Sequence, residues 1–138
     1  MVLFEYNGSL LNSQVDYVAH CVNCQGKMGS GVAKSLRQNY PEIFTGYVNF
    51  INEKLTDIDR MQLNTKKLLG EINFVFVSDS LTIINMFCQD RYGSDGQRYV
   101  DYDAISKAFK KVAEYFLTMK DKPQISLAIP YKFGCGLA

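Results

Sequence analysis

The sequence predicts a mixed α/β fold, a sheet of parallel and antiparallel strands covered by helices on both faces. Three observations predict it. Runs of β-branched and aromatic residues alternate with segments of helical period; two such runs are separated only by Ser78-Asp79-Ser80; and an apolar run at 15–22 leads straight into a glycine cluster. The 138 residues suit one domain, 1–138, and a 47% hydrophobic content supports a packed core rather than disorder.

Taken in order, Val2 to Tyr6 is a short strand closed by the turn pair Asn7-Gly8, and Val15 to Val22 is a second, mostly apolar strand that belongs inside the sheet. After Gly26-Lys27-Met28-Gly29-Ser30-Gly31, the residues Val32, Ala33, Leu36 and Tyr40 recur at helical spacing as far as Pro41. That proline can open a second helix carrying Ile43, Phe44, Tyr47, Val48 and Ile51. The region 53–70 is polar and poorly periodic and reads as loop, with room for one edge strand. Ile72 to Val77 and Leu81 to Phe87 form an antiparallel hairpin. A polar loop with Gly93 and Gly96 then leads to Asp101 or Asp103 as the cap of a long helix. Its buried stripe is Ile105, Ala108, Phe109, Val112, Phe116 and Met119, and Pro123 stops it. Ile125 to Ile129 is a final strand feeding Pro130 to Ala138.

Fifteen Lys and Arg against 14 Asp and Glu give a net charge of +1, which excludes the broad cationic field of non-specific nucleic-acid binding. Any phosphate is held locally. There is no run of 18 apolar residues and no signal-peptide pattern at Met1 to Tyr6, so a cytoplasmic protein without a membrane partner is expected. Cys21, Cys24, Cys88 and Cys135 are better read as reduced, buried side chains than as a disulfide framework. Cys21-Val22-Asn23-Cys24 also fits a redox pair or half a zinc site. However, the second half of a zinc site is missing, and Cys21 falls within a strand pattern rather than opening a helix.

Two glycine-bearing loops follow strands, the place where open α/β sheets bind ligands. In Asn23 to Gly31 the glycines permit φ > 0 and a close approach of backbone amides to an anion; the same cluster also fits a plain tight turn. The spacing G-x-x-G-x-G is neither the P-loop nor the dinucleotide fingerprint. Gly134-Cys135-Gly136 repeats the device, and two such loops suit a ligand with two anionic groups such as a pyrophosphate. His20, the chain's only histidine, is expected at the end of the strand leading into the first loop, where it could act as acid or base; alternatively it is a satisfied buried histidine. Asn23 could bind ribose hydroxyls or serve as an ordinary turn residue.

Ala19-His20-Cys21-Val22-Asn23-Cys24-Gln25-Gly26-Lys27-Met28-Gly29-Ser30-Gly31-Val32-Ala33, with Ile129-Pro130-Tyr131-Lys132-Phe133-Gly134-Cys135-Gly136-Leu137 far downstream, resembles a macro domain. More narrowly, these motifs and Gln89-Asp90-Arg91-Tyr92-Gly93 are similar to the branch of ADP-ribose-1''-phosphate phosphatases and related ADP-ribosyl hydrolases. The resemblance implies a three-layer α/β/α domain. It implies a site for ADP-ribose or ADP-ribose 1''-phosphate made of Ser9, Leu10, Asn23, Gly26, Met28, Gly29, Ser30, Gly31, Val32, Tyr131, Lys132, Phe133, Gly134, Cys135 and Gly136. Asn23 stands where the family contacts the distal ribose, and His20 where phosphatase members place a catalytic histidine. The implied activity is hydrolysis of ADP-ribose 1''-phosphate or of an ADP-ribosyl ester on a macromolecule, without metal or cofactor. A non-catalytic reader of ADP-ribose is the alternative.

Departures from the family pattern bear on this reading. Ser9 replaces an aspartate that binds the adenine amino group, and Cys88-Gln89 replaces a lysine used by some relatives. Ala138 stands where a catalytic aspartate is expected. The resemblance also leads one to expect a further C-terminal helix and strand, so the domain reads as C-terminally short, truncated or completed by a partner.

Overall fold

The computed structural model describes residues 14–29, 31–93, 99–119, 121 and 124–130. The strand expected at Val2 to Tyr6, Gly96, the stop at Pro123 and the Gly134-Cys135-Gly136 loop lie outside the described residues. The elements are β1 (Tyr17–Asn23), α1 (Gly31–Asn39), α2 (Glu42–Lys54), α3 (Asp57–Met61), a 3₁₀ turn (Thr65–Leu68), β2 (Ile72–Ser78), β3 (Leu81–Gln89), α4 (Tyr102–Leu117) and β4 (Leu127–Ala128).

The sheet order is β2-β3-β1-β4. β1 pairs in parallel with both β3 and β4, whereas β2 pairs antiparallel with β3, which is the expected hairpin. The sheet is therefore mixed, and β1 lies inside it with every residue buried, as its near-continuous apolar run requires. Side chains alternate across the strands and divide the core in two. Val18, Val22, Ile83 and Phe87 pack with Leu36, Ile43, Tyr47 and Ile51 of α1 and α2. Tyr17, Ala19, Cys21, Ile84 and Met86 pack with Ala108 and Val112 of α4. Helices thus cover both faces.

Local signals explain most boundaries. α2 follows Pro41, and α4 is capped by Asp101, whose side chain accepts from the Ala104 amide at 3.0 Å. Of the two candidate caps, Asp101 is the one used. The region 53–70 departs from the expected loop or edge strand: α2 runs on to Lys54, and α3 and the 3₁₀ turn follow. The reason is capping rather than hydrophobic period. Thr56 accepts from the Asp59 amide, and the Asp59 carboxylate accepts from the Thr56 amide at 2.8 Å and from Lys67 Nζ at 2.7 Å. Those contacts hold the Asp59 carboxyl well below the usual carboxylate range, Lys67 contributing most.

Candidate functional site

Because β1, β3 and β4 are parallel, Asn23, Gln89 and Ala128 end on the same side of the sheet. The loop after β1, the segment after β3 and the chain leaving β4 at Ile129-Pro130 all depart from that edge, and α1 begins there at Gly31. Pairing slips by one residue between β1 and β3, so that Val22 faces Phe87 while Asn23 faces Gln89. The bulge places Asn23 at the root of the loop.

The loop from Cys24 to Gly29 is built on side chains from below. Asn23 accepts from the Gln25 amide at 2.9 Å and donates from Nδ2 to the Lys27 carbonyl at 2.9 Å. Tyr47, fully buried on α2, points its hydroxyl into the loop. That oxygen accepts from the amides of Gly26 at 3.0 Å and Lys27 at 3.2 Å, and it lies 2.6 Å from the Asn23 carbonyl and 2.8 Å from Asn23 Oδ1, either of which can take its proton. Burial pushes the Tyr47 phenol above its ordinary pKa, the two amides pulling the other way, so it stays protonated and can donate. Gln25 reaches sideways to Thr65 and Asp90.

The glycines divide by role. Gly26 adopts φ +77°, which an L side chain rarely takes. Gly29 is exposed, has no such φ, and a Cβ added there would meet nothing within 4 Å among the described residues. Among the described residues, neither packing nor that backbone conformation explains a glycine at 29, and they leave open space beside it. Gly31 starts α1 at φ +61°. Val32 is 37% exposed, whereas the Met28 side chain is packed in the core beside α1 and α2. The Gly26 and Lys27 amides both donate to the Tyr47 hydroxyl, so these two donors are already engaged within the protein. Ser9, Leu10, Ser30, Tyr131, Lys132, Phe133, Gly134, Cys135 and Gly136 lie outside the described residues.

His20 is also placed differently from expectation. It sits in the middle of β1, not at its end, and is 1% exposed. Its Nε2 lies 2.6 Å from Asn85 Oδ1, and Asn85 donates to Asn73 Oδ1 at 3.0 Å and to the Ile43 carbonyl of α2 at 3.3 Å. The three residues are in register across β1, β3 and β2, forming a polar row under α2. Burial lowers the His20 pKa to about 4, against the opposing bond to Asn85, and Nδ1 has no partner among the described residues. The imidazole is a neutral core group.

The cysteines are buried and free, as expected, at 21, 24 and 88; Cys135 lies outside the described residues. Cys21 packs on the α4 side of the sheet and Cys24 on the α2 side, so the C-x-x-C spacing does not bring its thiols together. The neighbouring Cys21 thiol, together with burial, pushes the Cys88 thiol far up. No group of three or more metal-ligating side chains occurs among the described residues, and none of the described helices is long and apolar enough to cross a membrane. Sequence reasoning missed Tyr47, Gln25, Thr65 and Asp90. A tyrosine within an otherwise apolar stripe was the available signal, since a buried phenol needs a partner.

The mixed sheet, its helices and the loop at the parallel strand ends define the macrodomain fold. No protein-family model matches the sequence. A stretch of 41 residues, 30% of this chain, is 42% identical to the DNA ADP-ribosyl glycohydrolase of Mycobacterium tuberculosis; the match spans 12% of that relative's length. Among solved structures, a protein of unknown function from Bacteroides thetaiotaomicron superposes with a TM-score of 0.70 at 26% identity, covering 96% of this chain and 78% of that one. The macrodomain of Mycobacterium tuberculosis DarG gives 0.70 at 22% identity, covering 95% and 76%. Thermosipho africanus DarTG in complex with ADP-ribose gives 0.65 at 16% identity, covering 90% and 31%.

Proposed function

We propose that this chain binds ADP-ribose or a derivative across the open face of the β1–α1 loop and hydrolyses an ADP-ribosyl linkage. Two bonds are considered: the phosphomonoester of ADP-ribose 1''-phosphate, and a bond joining ADP-ribose to a macromolecule. The observation that carries the binding reading is Gly29, beside which the described residues leave open space, on a loop that Tyr47 and Asn23 hold from beneath. The short likeness to a DNA ADP-ribosyl glycohydrolase supports the macromolecular bond over the phosphomonoester.

In this reading the anion lies at Gly29 and the start of α1, where helix amides and the macrodipole favour negative charge. The same amides stabilise charge that develops on the reacting oxygens. The macro-domain resemblance adds Ser9, Leu10 and Tyr131 to Gly136 to the ligand-binding residues of this reading. His20 holds the sheet rather than transferring a proton. Because it is the chain's only histidine and is buried, a second reading keeps its place: a reader that binds ADP-ribose without turnover.

Release of ADP-ribose from an ADP-ribosylated oligonucleotide and of phosphate from ADP-ribose 1''-phosphate, measured beside calorimetric binding of ADP-ribose, separates these readings. Turnover of the oligonucleotide supports the hydrolase. Binding with neither product makes the chain a reader, and no binding at millimolar ADP-ribose overturns both.

A further inference from the structure

We infer that Asp90, acting through Thr65 and Gln25, is a positioning residue that holds the β1–α1 loop in its ligand-ready shape; the inference rests on the ADP-ribose reading above. Asp90 directly follows the last residue of β3. Its carbonyl accepts from the Cys24 amide at 3.1 Å and from Gln25 Nε2 at 2.9 Å. Its carboxylate Oδ1 accepts from Thr65 Oγ1 at 2.6 Å and from Gln25 Nε2 at 3.2 Å, and Gln25 Nε2 lies 3.1 Å from Thr65 Oγ1. Three segments distant in sequence therefore meet at one carboxyl group at the base of the β1–α1 loop.

The proton count fixes the direction of these bonds. A carboxylate only accepts, so the single Thr65 proton goes to Asp90, and the Thr65 oxygen is left to accept from Gln25. One Gln25 proton takes the Asp90 carbonyl, and the other is shared between Thr65 and the carboxylate. The loop is thus held at two places, by Tyr47 at Gly26 and Lys27 and by this clamp at Cys24 and Gln25. Without the carboxyl acceptor the two bonds to the Asp90 carbonyl remain, but Thr65 and Gln25 lose the atom they share, and the Gln25 end of the loop samples other shapes. Affinity then falls in proportion to the fraction still competent to bind.

The carboxylate carries a charge that an anionic ligand disfavours, while its oxygen supplies the acceptor the loop requires. The two contributions separate on substitution. Asp90→Ala removes both, whereas Asp90→Asn keeps an acceptor and removes the charge. Amide hydrogen exchange on the unliganded protein and calorimetry with ADP-ribose form the test. In Asp90→Ala and Thr65→Val, the amides of Cys24 to Gly29 exchange faster, and the Kd rises about tenfold as the competent fraction falls to roughly one tenth. In Asp90→Asn the Kd stays at or below the wild-type value. Unchanged loop exchange overturns the clamp, as does a lowered Tm with unchanged affinity in both loosening variants. Thr65→Val leaves the carboxylate in place and carries the same expectation if Asp90→Ala does not fold. A wild-type chain that takes no ADP-ribose overturns the function proposed above, while loop exchange still decides the clamp.

Discussion

Replacing Tyr47 by Phe removes one oxygen atom and leaves the ring, which is 5.6 Å from the Phe87 ring and 6.2 Å from that of Phe44, free to keep its packing. The oxygen accepts from two amides and can donate to Asn23. The Gly26 amide is only half-buried and Lys27 is exposed, so water can replace part of what is lost. The low end of the cost of an unsatisfied group applies, about 1 kcal/mol for each amide, with up to about 1 more for the bond to Asn23. The sum is about 2 to 3 kcal/mol. With an unfolding entropy of about 2.1 cal/mol/K per residue, a chain of this length loses about 7 to 10 °C in Tm. Calorimetric melting gives that value directly, and titration with ADP-ribose should show weaker binding because the loop is no longer supported at Gly26 and Lys27. A Tm within about 2 °C of wild type, less than 1 kcal/mol on the same scale, together with unchanged ADP-ribose affinity, would refute the role given to this hydroxyl.

Other substitutions test separate parts of the site and core. Gly29→Asp places a carboxylate in the open space above the loop; ADP-ribose binding should disappear while the Tm moves by no more than about 2 °C, as for an exposed position. His20 should make the fold acid-sensitive. Its folded pKa of about 4 lies below the unfolded value near 6.5, so the unfolded chain takes up the proton first. Above about pH 6.5 the group contributes nothing to pH dependence, and between about 6.5 and 4 stability falls by up to roughly 3 kcal/mol. Urea denaturation at pH 7 and pH 4.5, compared with His20→Gln, isolates that loss; equal slopes in the two proteins contradict the buried neutral imidazole. Burial raises the Cys24 thiol, and Cys21 and Cys88 are likewise enclosed. Iodoacetamide should therefore leave all three unlabelled in the native chain and modify them in urea, as read by peptide mass spectrometry. Rapid native labelling of Cys24 would contradict its placement.

The parts of this fold legible in the sequence are those where one signal dominates. The apolar run of β1, the hairpin around Ser78-Asp79-Ser80 and the α4 stripe each follow from period alone, and the structure places all three. Residues 56–68 were not legible by period, because Thr56, Asp59, Asn64 and Lys67 organise them by capping and charge pairing instead. The loop after β1 was legible as a glycine cluster, yet its support was not. Tyr47 reads as one more apolar position of α2, and only the folded chain brings its hydroxyl to residues about 20 earlier in sequence. Asp90 is drawn to Gln25 by the β1–β3 pairing and Thr65 reaches both from the 3₁₀ turn, contacts no local pattern encodes. For His20 the sequence left two readings open, an acid or base beside the glycine loop and a buried core histidine, and its placement suits the second. Adjacency in sequence to the glycine loop suggested chemistry, whereas strand alternation turns the ring under α2 toward Asn85.

Isothermal titration of the wild-type chain with ADP-ribose decides whether the loop binds this ligand. Saturable one-to-one binding that Gly29→Asp abolishes is the expected result. Absence of heat at millimolar ADP-ribose, or equal binding by Gly29→Asp, would contradict it.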